Sequence, residues 1–289
     1  MDKDIGYPGH EWKEREMARI HVLSDLHCEF GPFDPPQVDA DVTVLAGDTF
    51  TKRRCCPWED AATTFGRPVV MVPGNHEFYA DRVDTGVARL REAAARKNVT
   101  VLDNSEAVVA GVRFLGSTLW SDFRLFAGDN MDRVRADASW CVGSRHSGGM
   151  NDFRNIRVEA GKFRKFQPLD AAMLCRAAVV WLRERMAEPF DGPTVVVTHH
   201  APSALCVPDS LLSDPMTCAY ASKLDWLVEE GQPDMWIWGH IHASVPEFSI
   251  GRTRMVSNPR GYVPADVNPS FRPDLVVEVG PTPVPQLNR

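Results

Sequence analysis

The chain has 289 residues, of which 44% are apolar and 25% charged, ordinary proportions for a globular protein that buries a sizeable core. Its formal net charge of −7 supplies no field that would draw nucleic acid or an anionic membrane, and no apolar run is long enough to span a bilayer. Seven cysteines, an odd number without a Cys-x-x-Cys pair, suggest neither a disulfide framework nor a thiolate zinc site and fit a reducing cytoplasm.

Residues 1–17 are polar and without period, which reads as a flexible extension ahead of one domain over 18–280. Short β-branched runs at Ile20–Leu23, Val42–Ala46 and Val69–Val72 read as buried strands. Between the last two, a loop with Cys55-Cys56-Pro57-Trp58 leads into a short helix. Val83, Val87, Leu90 and Ala94 sit at helical spacing, with Asp81 as the expected N-cap. Val99–Leu102 is a short strand, and Ala107–Trp120 reads as two strands around Gly111.

From Asp122 to Gln167 there is little periodicity, so 122–167 is expected to be an irregular insertion that selects the substrate. Leu169–Met186 is a helix punctuated by Pro168 and Pro189. Val195–Val197 and Met235–Trp238 are further buried strands, separated by a helix expected over Thr217–Glu230 and stopped by Gly231. Pro246–Ser257 reads as a hairpin turning at Gly251-Arg252, and Leu275–Val279 as a last strand before the Pro-rich tail 281–289.

Five of these runs end in possible metal ligands: Asp25 and His27, Asp48, Asn75 and His76, His199 and His200, His240 and His242. Ligands collect at the carboxyl ends of strands in layered α/β folds. Each motif alone is weak, because a buried histidine is more often a hydrogen-bonded core residue than a ligand. The combination is strong: six of the nine histidines fall on these strand ends.

The ordered set Asp-x-His, Gly-Asp, Gly-Asn-His-Glu, His and Gly-His-x-His resembles the calcineurin-like metallophosphoesterase superfamily over Arg19–Val279. Gly116–Trp120, Met150–Phe153 and Asn258–Tyr262 resemble segments of a bacterial group within it. The resemblance implies a four-layer α/β/β/α sandwich of two mixed β-sheets, with a dinuclear metal site at the strand ends. It implies one divalent ion on Asp25, His27, Asp48 and His242, and a second on Asp48, Asn75, His240 and one of His199 or His200. Neighbouring residues on a strand face opposite ways, so only one of the pair can easily face the metals, and the resemblance favours His199, the first residue after the strand's final Thr.

Imidazole donors suit Mn, Fe, Zn, Ni or Co, and the carboxylate and carboxamide lean toward Mn or Fe. Two ions about 3.5–4 Å apart can share a hydroxide that attacks the phosphoester in line. The resemblance makes His76 the general acid, with Asp25 also orienting it. Glu77 is expected to be a structural carboxylate rather than a ligand.

Asn75, His200 and Arg260 are the candidate substrate contacts, Arg260 because a guanidinium matches a phosphate bidentately. For Arg260, and for Asp152 and Arg154, a purely structural loop role weighs equally. The expected substrate is a phosphomonoester or phosphodiester of a small molecule or nucleotide. A nuclease, a protein phosphatase and a metal-stabilised binding protein with little turnover are the competing readings. A nuclease would need a basic groove, and only the cluster Arg154, Arg157, Lys162, Arg164 and Lys165 offers one. Nothing in the sequence sets an oligomeric state.

Overall fold

The computed structural model describes residues 17–51, 56–144, 148–158 and 164–280; all of the expected extension 1–17 but its last residue, the tail 281–289, Cys55 and Lys162 lie outside the described residues. In chain order its first half comprises β1 (Ala18–Leu23), β2 (Val42–Ala46), α1 (Ala61–Phe65), β3 (Val69–Val72), α2 (Val83–Ala95), β4 (Val99–Val101), β5 (Ser105–Val109) and β6 (Val112–Ser117). Then follow α3 (Met131–Val142), α4 (Asp152–Asn155), β7 (Arg157–Val158), β8 (Arg164–Lys165), α5 (Pro168–Ala187) and β9 (Thr194–Thr198). The remainder is α6 (Asp225–Gly231), β10 (Met235–Trp238), β11 (Phe248–Ile250), β12 (Thr253–Ser257), β13 (Gly261–Tyr262), β14 (Asp266–Val267) and β15 (Val276–Val279).

One sheet has the order β15-β1-β2-β3-β4, and the other β11-β12-β10-β9-β6-β5. Both are mixed. Strands β1 to β4 run parallel with β15 antiparallel at the edge, while β6, β9, β10 and β12 run parallel with β5 and β11 antiparallel outside them.

The strands alternate faces, and both faces are covered, so they read as nearly unbroken apolar runs. Ile20, Val22, Val44, Val70 and Val72 of the first sheet pack into one cluster with Phe114, Val195, Val197, Ile237 and Val256 of the second. Leu23, Leu45 and Met71 share the outer core with Phe65, Leu90 and Ala94 from α1 and α2. On the opposite side Leu115, Val196 and Trp236 share it with Ala178, Leu182, Leu227 and Val228 from α5 and α6. The result is the four-layer α/β/β/α sandwich. The sheets approach closely at Gly116, where a Cβ would lie 2.3 Å from that of Leu102.

Three local expectations are corrected. The segment 122–167 is not irregular: it contains α3, α4 and the β7–β8 hairpin. Asn130 caps α3 by accepting from the Arg133 amide (3.1 Å), and the helix buries Cys141 but little else that is large. That small, polar core face left almost no apolar period. The helix expected over Thr217–Glu230 is instead a 3₁₀ turn at Pro215–Ala219 and the separate α6, with Ala201 bridged to Ala221 between them. Asp81 is not the cap of α2. Its buried carboxylate pairs with Arg89, and Arg82 holds the cap position.

Two members of the basic cluster, Arg164 and Arg157, fold back on the protein. Arg164 holds Asp170 through two bonds of 2.6 Å, and Arg157 donates to the Arg154 carbonyl (2.7 Å). Among the described residues no helix is long and apolar enough to cross a membrane. Phe114 is wholly buried between the sheets. Phe114→Ala is expected to cost about 3–5 kcal/mol of stability. Equilibrium denaturant unfolding measures this, and a loss below about 1 kcal/mol would contradict the packing.

Candidate metal centre

The strand ends of both sheets meet along one edge, and the loops leaving them are held in unusual backbone conformations. Asp25 (φ 52), His27 (φ 41), Asp48 (φ 52) and His240 (φ 69) all occupy the left-handed region. Such residues are strained by roughly 1–2 kcal/mol each. Loop-to-loop hydrogen bonds hold them there: Asp25 N to Gly47 O (3.0 Å), His27 N to Asp48 O (2.9 Å) and His240 N to Asp25 Oδ1 (2.9 Å).

The glycines of the motifs have a steric reason. A Cβ on Gly47 would lie 2.1 Å from His199 Nδ1, and one on Gly74 would lie 2.1 Å from Asp48 Oδ1. A Cβ on Gly239 would lie 2.7 Å from Asp25 Oδ2. Glu77 ties the second loop to the third by accepting from the amides of Asp48 (3.0 Å), Thr49 (2.7 Å), Phe50 (3.2 Å) and Gly74 (2.7 Å). Burial and the Asp48 carboxylate push Glu77 up to about 8, and these amides restrain it.

Side-chain donors converge in two groups, one of Asp25, His27 and His242 and one of Asp48, His199 and His240, and a third set, His27, Asp48 and His76, overlaps both. His27 Nε2 lies 3.0 Å from His242 Nε2, and His242 Nε2 lies 3.5 Å from Asp25 Oδ1. In the second group His199 Nε2 lies 3.0 Å from Asn75 Oδ1, 3.1 Å from His240 Nδ1 and 3.4 Å from Asp48 Oδ2. Asp48 Oδ2 also lies 3.6 Å from His27 Nε2, so one carboxylate oxygen faces both groups. Two donors each about 2.1 Å from a shared ion, at right angles, lie about 3.0 Å apart, so these spacings fit metal coordination.

Hydrogen bonding sharpens the fit. His199 Nδ1 donates to Ala46 O (3.0 Å), which leaves Nε2 for the cluster. Asn75 Nδ2 donates to Asp152 Oδ1 (2.8 Å), which turns Oδ1 toward His199. Nε2, Asn75 Oδ1 and Asp48 Oδ2 are then three electron-rich atoms facing one another. Only positive charge, a proton or a metal ion, reconciles them. Accordingly, although burial opposes it, Asp48 and Asp25 raise His199 to about 10. Asp48 itself is held well below the usual carboxylate range: burial raises it, but His199 and His76 outweigh that.

His76 stands beside both groups, with Nε2 at 3.9 Å from Asp48 Oδ2 and its ring stacked on Tyr79. Its Nδ1 meets Glu29 Oε1 at 3.1 Å, and its Nε2 meets the Tyr262 hydroxyl at 3.2 Å. Burial lowers its pKa, yet Asp48 and Glu29 bring it up to about 9. The same Glu29 oxygen lies 3.3 Å from His27 Nδ1.

Three sequence-based expectations, for Asp25, Arg260 and His200, need correcting here. The carboxylate on His76 is Glu29, not Asp25, whose oxygens accept from the His240 amide and face His242. Arg260 returns to the rim but does not present its guanidinium there: it donates to the carbonyls of Leu26 (3.0 Å), Gly31 (3.0 Å) and Pro32 (2.9 Å). His200 points away from Asp48, its Nδ1 on Thr118 O (3.0 Å) and its ring near Trp120, and burial with His199 takes it down to about 3. Glu29, Tyr79 and Tyr262 were not identified in sequence. Glu29 follows His27 by two residues and Tyr262 ends the Asn-Pro-Arg-Gly-Tyr segment, and those proximities were the available signals.

The cluster opens into a cavity of about 490 Å³ walled by Tyr79, Met150, Leu211, Met216, Tyr220 and Ile241. A larger cavity of about 990 Å³ lies between α3, α5 and α6 and contains none of these donors.

A family model described as calcineurin-like phosphoesterase matches residues 18–244. Uncharacterized protein L509 of Acanthamoeba polyphaga mimivirus is 21% identical over 280 residues, covering 85% of this chain and 92% of that protein. Among solved structures, the phosphopantetheinyl hydrolase PptH from Mycobacterium tuberculosis superposes with a TM-score of 0.60 at 18% identity, covering 93% of this chain and 98% of the other. That likeness carries the fold, and the family match runs from β1 past His242. The chain therefore belongs to the calcineurin-like phosphoesterase family of metal-dependent phosphoester hydrolases.

Proposed function

We propose that the protein hydrolyses a phosphomonoester or phosphodiester of a small organic molecule. Asp25, His27, Asp48 and His242 would hold one divalent ion, and Asp48, Asn75, His199 and His240 the other. The observation that carries this reading is the placement of Asp48 Oδ2 within 3.6 Å of His27 Nε2 and 3.4 Å of His199 Nε2. Bound there, the ions would supply Lewis acidity and a nucleophile available near neutral pH. The mixed imidazole, carboxylate and carboxamide donors favour Mn or Fe.

His76 serves as the general acid. Its protonated ring faces the cavity beside the cluster, and Glu29 fixes its orientation through Nδ1. Asn75 is also a candidate phosphate contact. The cavity, at about 490 Å³, lies in the range of small-molecule sites, and its Met150, Leu211, Met216 and Ile241 wall suits an organic group of modest size. Because the solved neighbour is named a phosphopantetheinyl hydrolase, phosphopantetheinyl esters belong in the substrate panel.

The direct test is a phosphoester panel assayed with Mn, Fe, Zn, Ni and Co. Hydrolysis of at least one ester, lost in Asp48→Asn, is the expected result, and no turnover with any metal would sink the proposal. Asp48→Ala is expected to lose bound metal; a variant still holding two ions per chain by elemental analysis would contradict the bridging role. His76→Ala is expected to keep its metals and lose about 10²–10⁴-fold on esters with poor leaving groups. Activated aryl esters should suffer less, because their leaving group needs no proton. Equal losses on both ester types, with metal unchanged, would rule out the acid role.

A further inference from the structure

The segment Asn258-Pro259-Arg260-Gly261-Tyr262 is anchored to the loop that carries Asp25 and His27. The Arg260 amide donates to Ser24 O (3.1 Å), and the Gly261 amide donates to Asp25 O (3.1 Å). The Arg260 guanidinium fastens the same loop through Leu26, Gly31 and Pro32. The position of Tyr262 is therefore fixed relative to the metal-ligand candidates rather than left to a free rim.

Its side chain continues that placement. The ring packs against His27 (centroids 4.4 Å) and His242 (4.4 Å), with Phe30 behind it (5.2 Å). The hydroxyl reaches His76 Nε2 at 3.2 Å, and the residue lines the cavity. His76 is thus engaged at both nitrogens, by Glu29 on Nδ1 and by the phenol on Nε2. An acid whose outward nitrogen already meets a hydroxyl delivers its proton first to that oxygen.

We infer that Tyr262 is a catalytic residue, whose hydroxyl contacts the leaving-group oxygen and passes to it the proton of His76. This rests on the hydrolase reading above. As the phosphorus–oxygen bond breaks, its electron pair stays on the leaving oxygen, which takes the Tyr262 hydroxyl proton. The His76 Nε2–H bond breaks in turn and its proton moves to the Tyr262 oxygen. The phenol ends as it began, His76 ends neutral, and solvent reprotonates it. No oxidant, reductant or further reactant enters.

The test compares wild type, Tyr262→Phe, His76→Ala and the double variant on a matched pair of esters, one alkyl and one p-nitrophenyl. Phenylalanine keeps the ring between His27 and His242, and elemental analysis with a melting curve verifies that metal and fold are retained. Tyr262→Phe is expected to lose about 10²-fold in kcat on the alkyl ester and at least about tenfold less on the aryl ester. The double variant should be no slower on the alkyl ester than His76→Ala, since both residues serve one proton transfer. Wild-type turnover with an unimpaired Tyr262→Phe, equal losses on the two esters, or multiplied losses in the double variant would each overturn the relay alone. The pair is drawn from the ester classes turned over in the panel above, and a wild type that hydrolyses no ester of that panel overturns the hydrolase reading and the relay with it.

Discussion

The Asp48 carboxylate is the interaction on which the site depends. Burying a carboxylate costs several kcal/mol unless charge and hydrogen bonds offset it. Here the offset comes from both sheets: His27 from the loop after β1, His76 with its amide from the loop after β3, and His199 from the end of β9. The charge therefore welds the carboxyl edges of the two sheets at one point. The inter-sheet core brings those edges together, and Asp48 gives their meeting a chemical use.

The same point accounts for the local strain. Four residues that carry side chains lie in a backbone region that disfavours them, and each is one of the convergent donors. Next to them stand glycines that any side chain would turn into a clash with His199, Asp48 or Asp25. The motif letters are thus of two kinds, groups that hold charge and groups that must be absent. Glu77 belongs to neither, since its oxygens serve backbone amides and fix the distance between two loops.

Much of this was legible in the chain, for a physical reason. Strands buried on both faces must be continuous apolar runs, so β1, β2, β3, β9 and β10 announced themselves, and their polar terminations marked one edge. The order of those terminations carried the family. What failed to register was non-local. Glu29 acquires its role only because His76, 47 residues on, is brought against it. Arg260 looked like a phosphate ligand because its residue type allows it, but the carbonyls of a distant loop had already claimed it. Helix α3 hid because its buried face is built of small residues, and the 215–231 stretch because a proline-led 3₁₀ turn imitates the start of a helix.

The pairing of the last described strand with the first has a consequence for biosynthesis. β1 lies inside its sheet only because β15 lies antiparallel along its outer edge, Ala18 opposite Val279. Every donor of the metal cluster has been translated by His242, yet β1 still presents an open edge to any neighbouring chain. At about 5–20 residues per second, that edge stays uncovered for seconds after the cluster residues emerge. The sheet that carries Asp25 and Asp48 is thus the last part of the molecule to close, and a chain stopped short of Val276 would keep that edge for good.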